Sequence, residues 1–174
     1  HTPFPSSKSK IKVYSTHNHN DLHLLLTQAI KKAKKSLYLK TYALTDSAII
    51  SLLKKKSDDG VKVHLYYHKN VSPKLECLKR PNFYLHPIQE KGLMHEKIWI
   101  IDEKFVFLGS ANITYSSLKM HENCVVGIFS PELAHQLITN RPEKINMKIE
   151  NHDFEFYSLP NKNALIVLLD RINK

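Results

Sequence analysis

The sequence predicts an α/β domain with a mixed, largely parallel sheet flanked by helices. Apolar segments of strand length alternate with amphipathic segments of helix length from residue 11 to about residue 140, which is the pattern of a sheet covered by helices. A polar turn, Asp102-Glu103-Lys104, joins two apolar runs as a hairpin, and this makes the sheet mixed. Since about 150 residues make one domain, the 174 residues hold one domain, or one domain plus a piece of another.

The composition limits the classes of protein to consider. There are 26 basic and 16 acidic residues, and the formal net charge of +10 favours a polyanionic partner, either nucleic acid or an anionic membrane surface. The two cysteines, Cys77 and Cys124, exclude a disulfide-rich scaffold, and their spacing fits no zinc pattern. A hydrophobic content of 42% argues against disorder, and no run approaches the roughly 18 apolar residues of a membrane helix.

The first two helices carry signals for where they begin and end. Asn20 is predicted to be the N-cap of a helix over residues 21–35, and the lysines near the end of that segment lie at the negative end of the helix dipole. Asp46 is predicted to cap a second helix, and Gly60 suits the C′ position that ends it. Strands at residues 11–14 and 37–42 flank the first helix, and a strand at 61–67 follows the second.

The remaining elements continue this alternation. A short helix at residues 73–79 precedes a strand at 83–86, and the apolar runs at 95–101 and 105–108 form the hairpin. A short helix near 115–120, a strand at 123–129 and a helix at 131–139 close the unit. This predicts a linker over residues 1–10, a domain over 11–140 and a linker over 141–152. Because the chain begins with His1, we expect that an upstream segment was removed; a signal peptide or membrane anchor there would make the protein exported or membrane-anchored.

Residues 153–174 repeat the pattern with which the domain opens. A predicted strand at 154–158 precedes an apolar helix at 164–172. At nearly constant spacing, the repeat pairs Tyr157 with Tyr14, Ser158 with Ser15, Leu168 with Leu26 and Ile172 with Ile30. Either this is the ordinary opening of any α/β unit, or a second copy of the domain begins near Asp153.

The stretch that carries the chemistry runs from residue 95 to residue 112. Strand alternation places His95 and Lys97 on one face, and Gly109 permits a turn that presents Ser110 and Asn112 at the same end of the sheet. This set suits a phosphate diester, since the ammonium offsets its charge, the hydroxyl and amide donate hydrogen bonds, and the imidazole attacks phosphorus. No carboxylate cluster for a divalent cation accompanies these residues, so we expect chemistry without a metal or cofactor.

These residues resemble the signature of the phospholipase D superfamily, HxKx4Dx6GSxN, at all its fixed positions. The order of strands and helices is similar to that of the compact bacterial endonuclease and mitochondrial cardiolipin-hydrolase branch. In that branch a glutamate lies on the strand after the motif, and Glu122 fills that place. The resemblance implies a double displacement, in which one motif histidine forms a phosphohistidine and a second protonates the leaving oxygen and then activates water.

The resemblance also assigns a role to each matching residue. It makes His95 the nucleophile or the acid, according to which half of the site it faces. Lys97 and Asn112 would bind phosphate, with Ser110 as a supporting donor, and Glu122 would orient the histidine and stabilise its imidazolium form. The two remaining motif residues, Asp102 at the hairpin turn and Gly109, are expected to have structural roles.

The sequence leaves the second half of the site and the substrate open. The chain carries one motif, so the second must come from a homodimer or from a downstream repeat. The net charge suits a nucleic-acid backbone, which we prefer slightly, but it also suits an anionic bilayer, as for a phospholipase D or phosphatidyltransferase acting on lipids such as cardiolipin. A non-catalytic, basic nucleic-acid-binding module is a third hypothesis, and a damaged signature would fit it better than this intact one.

Overall fold

The structure is a computed structural model that describes residues 3–88, 95–139, 144–158 and 162–172. It divides into two units, residues 1–134 and residues 135–174. The first unit is built on a seven-stranded sheet with the order β1-β7-β6-β5-β2-β3-β4. In chain order its strands are β1 (Ile11–Ser15), β2 (Ser36–Thr41), β3 (Lys62–His68), β4 (Phe83–Ile88), β5 (Ile98–Ile101), β6 (Phe105–Gly109) and β7 (Cys124–Phe129).

The sheet is mixed, as predicted, but the prediction that it is largely parallel is wrong. Only β2 with β3 and β3 with β4 pair in parallel, whereas β5 and β7 run antiparallel to every strand beside them. The other five strands point the same way, so the error lies in which strands are neighbours. A parallel pair needs a crossover connection, and here the hairpin β5–β6 and the return of β7 beside β6 place opposed strands next to each other.

The helices of this unit begin close to where the sequence predicts. They are α1 (Leu22–Lys32), α2 (Ser47–Asp58) and α3 (Tyr115–Lys119), with a 3-10 helix over Pro73–Leu78; α4 (Pro131–Thr139) begins in this unit and ends beyond its boundary. Asp46 caps α2 as predicted, because its carboxylate accepts from the Ile49 N–H. Asp21, not Asn20, caps α1, since the Asn20 side chain already accepts from the Ser15 N–H at the end of β1. None of the helices in the described ranges is long and apolar enough to cross a membrane.

The main core lies on one face of the sheet. The buried side of α1 contributes Leu25, Leu26 and Ile30, and it belongs to the same cluster as Trp99 of β5 and Phe107 of β6. These side chains are almost completely removed from solvent. Burial of these apolar side chains of α1, β5 and β6 in one cluster stabilises the position of the two strands.

The opposite face of β2–β4 carries stacked rings. His64 of β3 lies between Tyr38 and Tyr84, with ring centroids 4.5 Å and 4.6 Å away. Tyr66 stacks on His86 at 4.2 Å, and the two histidines bring Nδ1 of His64 within 3.3 Å of Nε2 of His86. Burial, the neighbouring His86 and Lys62 lower the pKa of His64. The face of the sheet away from the main core is therefore covered in part by its own side chains.

The segment before β1, which the sequence predicts to be a linker over residues 1–10, contacts the sheet through Phe4. The Phe4 ring meets Phe105 and Phe107 edge to face, with centroids 6.0 Å and 5.5 Å away. The Tyr14 hydroxyl donates to the Pro3 carbonyl at 2.6 Å, and the Lys32 ammonium lies 4.4 Å from the centre of the Phe4 ring. The Phe4 ring and the hydrogen bond to Pro3 thus attach this segment to the sheet.

The second unit holds an antiparallel hairpin, β8 (Lys144–Ile149) and β9 (His152–Tyr157), and the helix α5 (Lys162–Ile172). The predicted linker over 141–152 is therefore wrong for residues 144–149. The missed signal is the alternation of Ile145, Met147 and Ile149 with polar residues, which is the pattern of a strand with one buried face. The hypothesis that residues 153–174 begin a second copy of the domain stays a prediction.

The hairpin turn between β5 and β6 is anchored by Asp102. The carboxylate of Asp102 accepts hydrogen bonds from the backbone N–H groups of Lys34, Lys35 and Ser36, at 2.7–3.2 Å. Its own N–H donates to the Ser36 carbonyl at 2.9 Å, and its φ of 53° is the left-handed conformation that aspartate tolerates. Asp102 therefore ties this turn to the connection between α1 and β2, far along the chain.

Replacing Asp102 by alanine is expected to lower the free energy of unfolding by about 1–3 kcal/mol, because three backbone donors lose their acceptor. Asp102→Asn keeps one acceptor oxygen and should lose less. Urea unfolding followed by circular dichroism measures both. The matched control is Glu103→Asn, which lies on the same turn with a φ of 57° and loses only an exposed ion pair to Lys35. Equal stability of Asp102→Ala and Glu103→Asn would contradict the anchoring role.

Candidate active site

The signature residues meet at one edge of the sheet, where β6 ends and where β5 and β7 begin. The Gly109 N–H donates to the carbonyl of Lys97 at 3.1 Å, which joins the end of β6 to the residue before β5. The Ser110 N–H donates to the carbonyl of Cys124, the first residue of β7, at 3.0 Å. These two backbone bonds continue the register of three strands, and they bring Lys97, Gly109 and Ser110 together.

His95 and Lys97 differ in their environment. The sequence predicts a strand over 95–101, but β5 begins at Ile98, so both residues precede it. The His95 side chain is exposed, whereas Lys97 is only 6% exposed. The Lys97 ammonium donates to the carbonyl oxygen of His95 at 2.8 Å, and burial lowers the pKa of Lys97. Within the described residues no carboxylate pairs with this ammonium, so an anionic ligand is the natural counter-charge.

Gly109 is required by the close approach of β6 and β7. A Cβ atom at this position would lie 2.5 Å from the Cys124 carbonyl oxygen and 2.7 Å from Cγ2 of Val125. The first of these contacts is with backbone, which cannot move aside as a flexible side chain can. Any larger residue would force the two strands apart at the edge that carries the motif.

The Ser110 hydroxyl makes its hydrogen bonds within the protein. It donates to Oδ1 of Asn123 at 2.7 Å and accepts from the Cys124 N–H at 3.1 Å. A hydroxyl has one hydrogen to donate, and here that hydrogen is directed to Asn123. The structure thus places Ser110 at the predicted edge, but it does not show its hydroxyl free to donate to a substrate oxygen.

Asn112 follows the turn after β6 and is half-buried. Its N–H donates to the hydroxyl of Ser117 at 3.0 Å, so the first turn of α3 holds its backbone. Its side-chain oxygen Oδ1 is buried and has no hydrogen-bond partner in the part of the chain that the structure describes. A buried acceptor without a donor costs about 1–3 kcal/mol, and such groups are often found at functional sites.

Glu122 lies at the same edge, but its contact differs from the predicted one. Its side chain is 88% exposed, and its carboxylate lies 3.8 Å from Nδ1 of His17, on the loop after β1. The ion pair that the structure shows for Glu122 is thus with His17 and not with His95. An orienting role of Glu122 towards His95 stays a prediction. Asn123, which accepts from Ser110, is a polar residue beside Glu122 at the start of a strand, and this is its only signal in the sequence. Nothing in the sequence indicates which residues it contacts.

The histidines at the start of α1 are engaged separately. Nε2 of His23 lies 3.2 Å from Oδ2 of Asp46, the residue that caps α2, while His17 pairs with Glu122 and His19 occupies a turn with a φ of 58°. In the ranges that the structure describes, no three histidine, cysteine or carboxylate side chains converge as metal ligands would.

A mixed sheet with helices and a signature assembled at one edge define a phospholipase D-like domain. A family model described as "Cardiolipin synthase, PLD-like domain" matches residues 26–141. The chain therefore belongs to this family.

Curated proteins and solved structures resemble the chain over most of its length. A phospholipase D of Rickettsia conorii is 31% identical over 119 residues, covering 66% of this chain and 60% of that protein. A cardiolipin synthase 1 of Staphylococcus epidermidis is 30% identical over 132 residues, covering 67% of this chain and 26% of that protein. The match thus covers less than two thirds of the first relative and about a quarter of the second.

The solved structures confirm the fold class. NucT from Helicobacter pylori has a TM-score of 0.65 and 23% identity, covering 75% of this chain and 91% of that chain. Nuc from Salmonella typhimurium, a phospholipase D family member, has a TM-score of 0.62 and 20% identity, covering 85% of this chain and 98% of that chain. At these identities the likeness concerns the fold alone.

Proposed function

We propose that the chain is a phosphodiesterase that works through a phosphohistidine intermediate. The observation that supports this most directly is the buried Lys97 ammonium, held by the carbonyl of His95 next to an exposed imidazole. A buried cation without a carboxylate partner among the described residues favours an anionic ligand. An adjacent imidazole can attack phosphorus when a phosphate diester occupies that place.

The proposed reaction has two displacements. The neutral imidazole of one motif histidine attacks phosphorus, a P–N bond forms, and the P–O bond to the leaving alcohol breaks as the second histidine protonates the alcohol oxygen. That second histidine then takes a proton from water, whose oxygen attacks phosphorus and breaks the P–N bond. His95 takes one of these roles, and Lys97 and Asn112 bind nonbridging oxygens. The other histidine comes from a homodimer or from a downstream repeat.

For the substrate, we propose a nucleic-acid backbone, with a phospholipid as the second candidate. The formal net charge of +10 supports a polyanion with many phosphates. The second candidate is favoured by the names of the relatives at 30–31% identity, a phospholipase D and a cardiolipin synthase 1. Both candidates share the diester chemistry and differ only in what the phosphate is attached to.

His95→Ala is expected to lower diesterase turnover at least about 1,000-fold, because it removes the nucleophile or the acid. Its thermal unfolding midpoint should match the wild type, since the His95 side chain is exposed. The control is His152→Ala, an exposed histidine in the second unit, which should keep full activity. Turnover should also persist in EDTA. Loss of activity on chelation, with recovery on adding Mg²⁺, would overturn the phosphohistidine scheme.

If the substrate is nucleic acid, the logarithm of the association constant for single-stranded DNA should fall linearly with the logarithm of the salt concentration. The slope should be about −0.7 for each phosphate contacted. Fluorescence anisotropy measures this slope over roughly 50–300 mM salt, where counterion release dominates. The control is the double variant Lys54→Gln/Lys55→Gln, which should leave the slope unchanged. These lysines lie in the last turns of α2, at the sheet edge where β3 begins and away from the motif. Turnover of cardiolipin vesicles with no nuclease activity at low salt would instead establish the lipid candidate.

Glu122→Gln is expected to lower turnover about 10-fold or more with little change in substrate binding. The carboxylate is proposed to orient the His95 imidazole, so its loss should appear in kcat and not in KM. His17→Gln removes the partner that the structure shows for Glu122 and should leave kcat unchanged. Full activity in Glu122→Gln would remove this residue from the site.

A further inference from the structure

The side chain of Asn123 uses both of its polar ends at the motif edge. Its Oδ1 accepts from the Ser110 hydroxyl at 2.7 Å. Its Nδ2 donates to the carbonyl and the hydroxyl of Ser117, at 2.8 Å and 3.3 Å. Since the Ser117 hydroxyl accepts from the Asn112 N–H at 3.0 Å, a single amide connects both polar residues that end the signature.

Asn123 is itself held in place from the other side. Its N–H donates to the Thr16 hydroxyl at 2.8 Å, and its carbonyl accepts from the Thr16 N–H at 3.1 Å. These bonds join it to the end of β1, which pairs with β7 along its whole length. The side chain therefore starts from a backbone that two strands restrain, and its orientation is well defined.

We propose that Asn123 is a positioning residue for phosphate binding, an inference that rests on the proposed phosphodiesterase function. Asn123 orients the Ser110 hydroxyl and, through Ser117, holds the backbone of Asn112. Ser110 is then a second positioning residue, because its one hydrogen is donated to Asn123 and not to the substrate. This assignment replaces the supporting-donor role that the signature implies for Ser110.

The buried side-chain oxygen of Asn112, which has no donor among the described residues, explains why such positioning is needed. The Asn112 side chain would gain a hydrogen bond by moving. The bond from its N–H to Ser117 opposes that movement, and Asn123 in turn holds Ser117. Without Asn123 the Asn112 amide is free to turn away from the phosphate, while the fold of the sheet stays the same.

The test is a pair of double-mutant cycles on His95-dependent turnover. Asn123→Ala should lower kcat/KM about 10- to 100-fold, as loss of a positioning residue does. In an Asn112→Ala background the same change should cost less than about 3-fold, because its effect passes through Asn112. The Ser110→Ala/Asn123→Ala double variant should likewise be no worse than the poorer single variant. Losses that multiply in both cycles would overturn the inference.

Further variants separate positioning from loss of folding. Asn123→Asp keeps the acceptor for Ser110 but loses the donor to Ser117, so it should lose at least about 10-fold in kcat/KM at an unfolding midpoint near the wild type. Ser57→Ala is the control, since it removes a buried hydroxyl that donates to the Lys54 carbonyl in the last turn of α2, away from the motif. It should lower the midpoint and keep kcat/KM within about 3-fold of the wild type. Activity that follows the midpoint across all variants would overturn the inference.

The wild type and His95→Ala are assayed first, so that two failures can be told apart. Turnover that does not depend on His95 would overturn the proposed function. His95-dependent turnover that Asn123→Ala leaves at the wild-type level would overturn the positioning role alone.

Discussion

The close approach of β6 and β7 at Gly109 is the constraint on which the site depends. With no Cβ at this position, the Cys124 carbonyl can accept from the Ser110 N–H, and the Ser110 hydroxyl comes within hydrogen-bond reach of Asn123. At the same position the Gly109 N–H donates to the Lys97 carbonyl, and this bond holds the start of β5 at this edge. One missing methyl group therefore allows three strands to bring the motif together.

The two ends of the β5–β6 hairpin have different tasks. At one end Asp102 accepts backbone hydrogen bonds from the connection before β2, and the strands beyond it are held in register. At the other end the buried Lys97 ammonium has only the His95 carbonyl as its acceptor and the buried Oδ1 of Asn112 has no donor, among the residues that the structure describes. The signature thus mixes residues that build the hairpin with residues that face a ligand, which is why residue type alone does not reveal the role of each.

Local patterns in the sequence predicted most of the elements and the place of the motif, but not the contacts between distant segments. Apolar periodicity located the strands of the sheet, yet β5 and β7 lie between strands of the opposite direction, which only long-range pairing decides. Likewise, the signature implies a Ser110 hydroxyl that donates to phosphate and a Glu122 that faces His95, whereas the structure shows Ser110 bonded to Asn123 and Glu122 beside His17. Strand β8 lies within the predicted linker, although its apolar residues alternate with polar ones as in a strand with one buried face.

The position of the motif in the chain bears on how the protein folds. Strands β5, β6 and β7 follow one another closely and pair as neighbours, whereas β1 reaches its partner β7 from the far end of the domain, with Ile11 opposite Ile128. Contacts between residues close in sequence cost less chain entropy to form, so the three-strand meander can assemble before the edge strand arrives. This order of contacts predicts that the motif edge forms early in folding and that the hydrogen bond from Asn123 to Thr16 forms only when β1 joins the sheet.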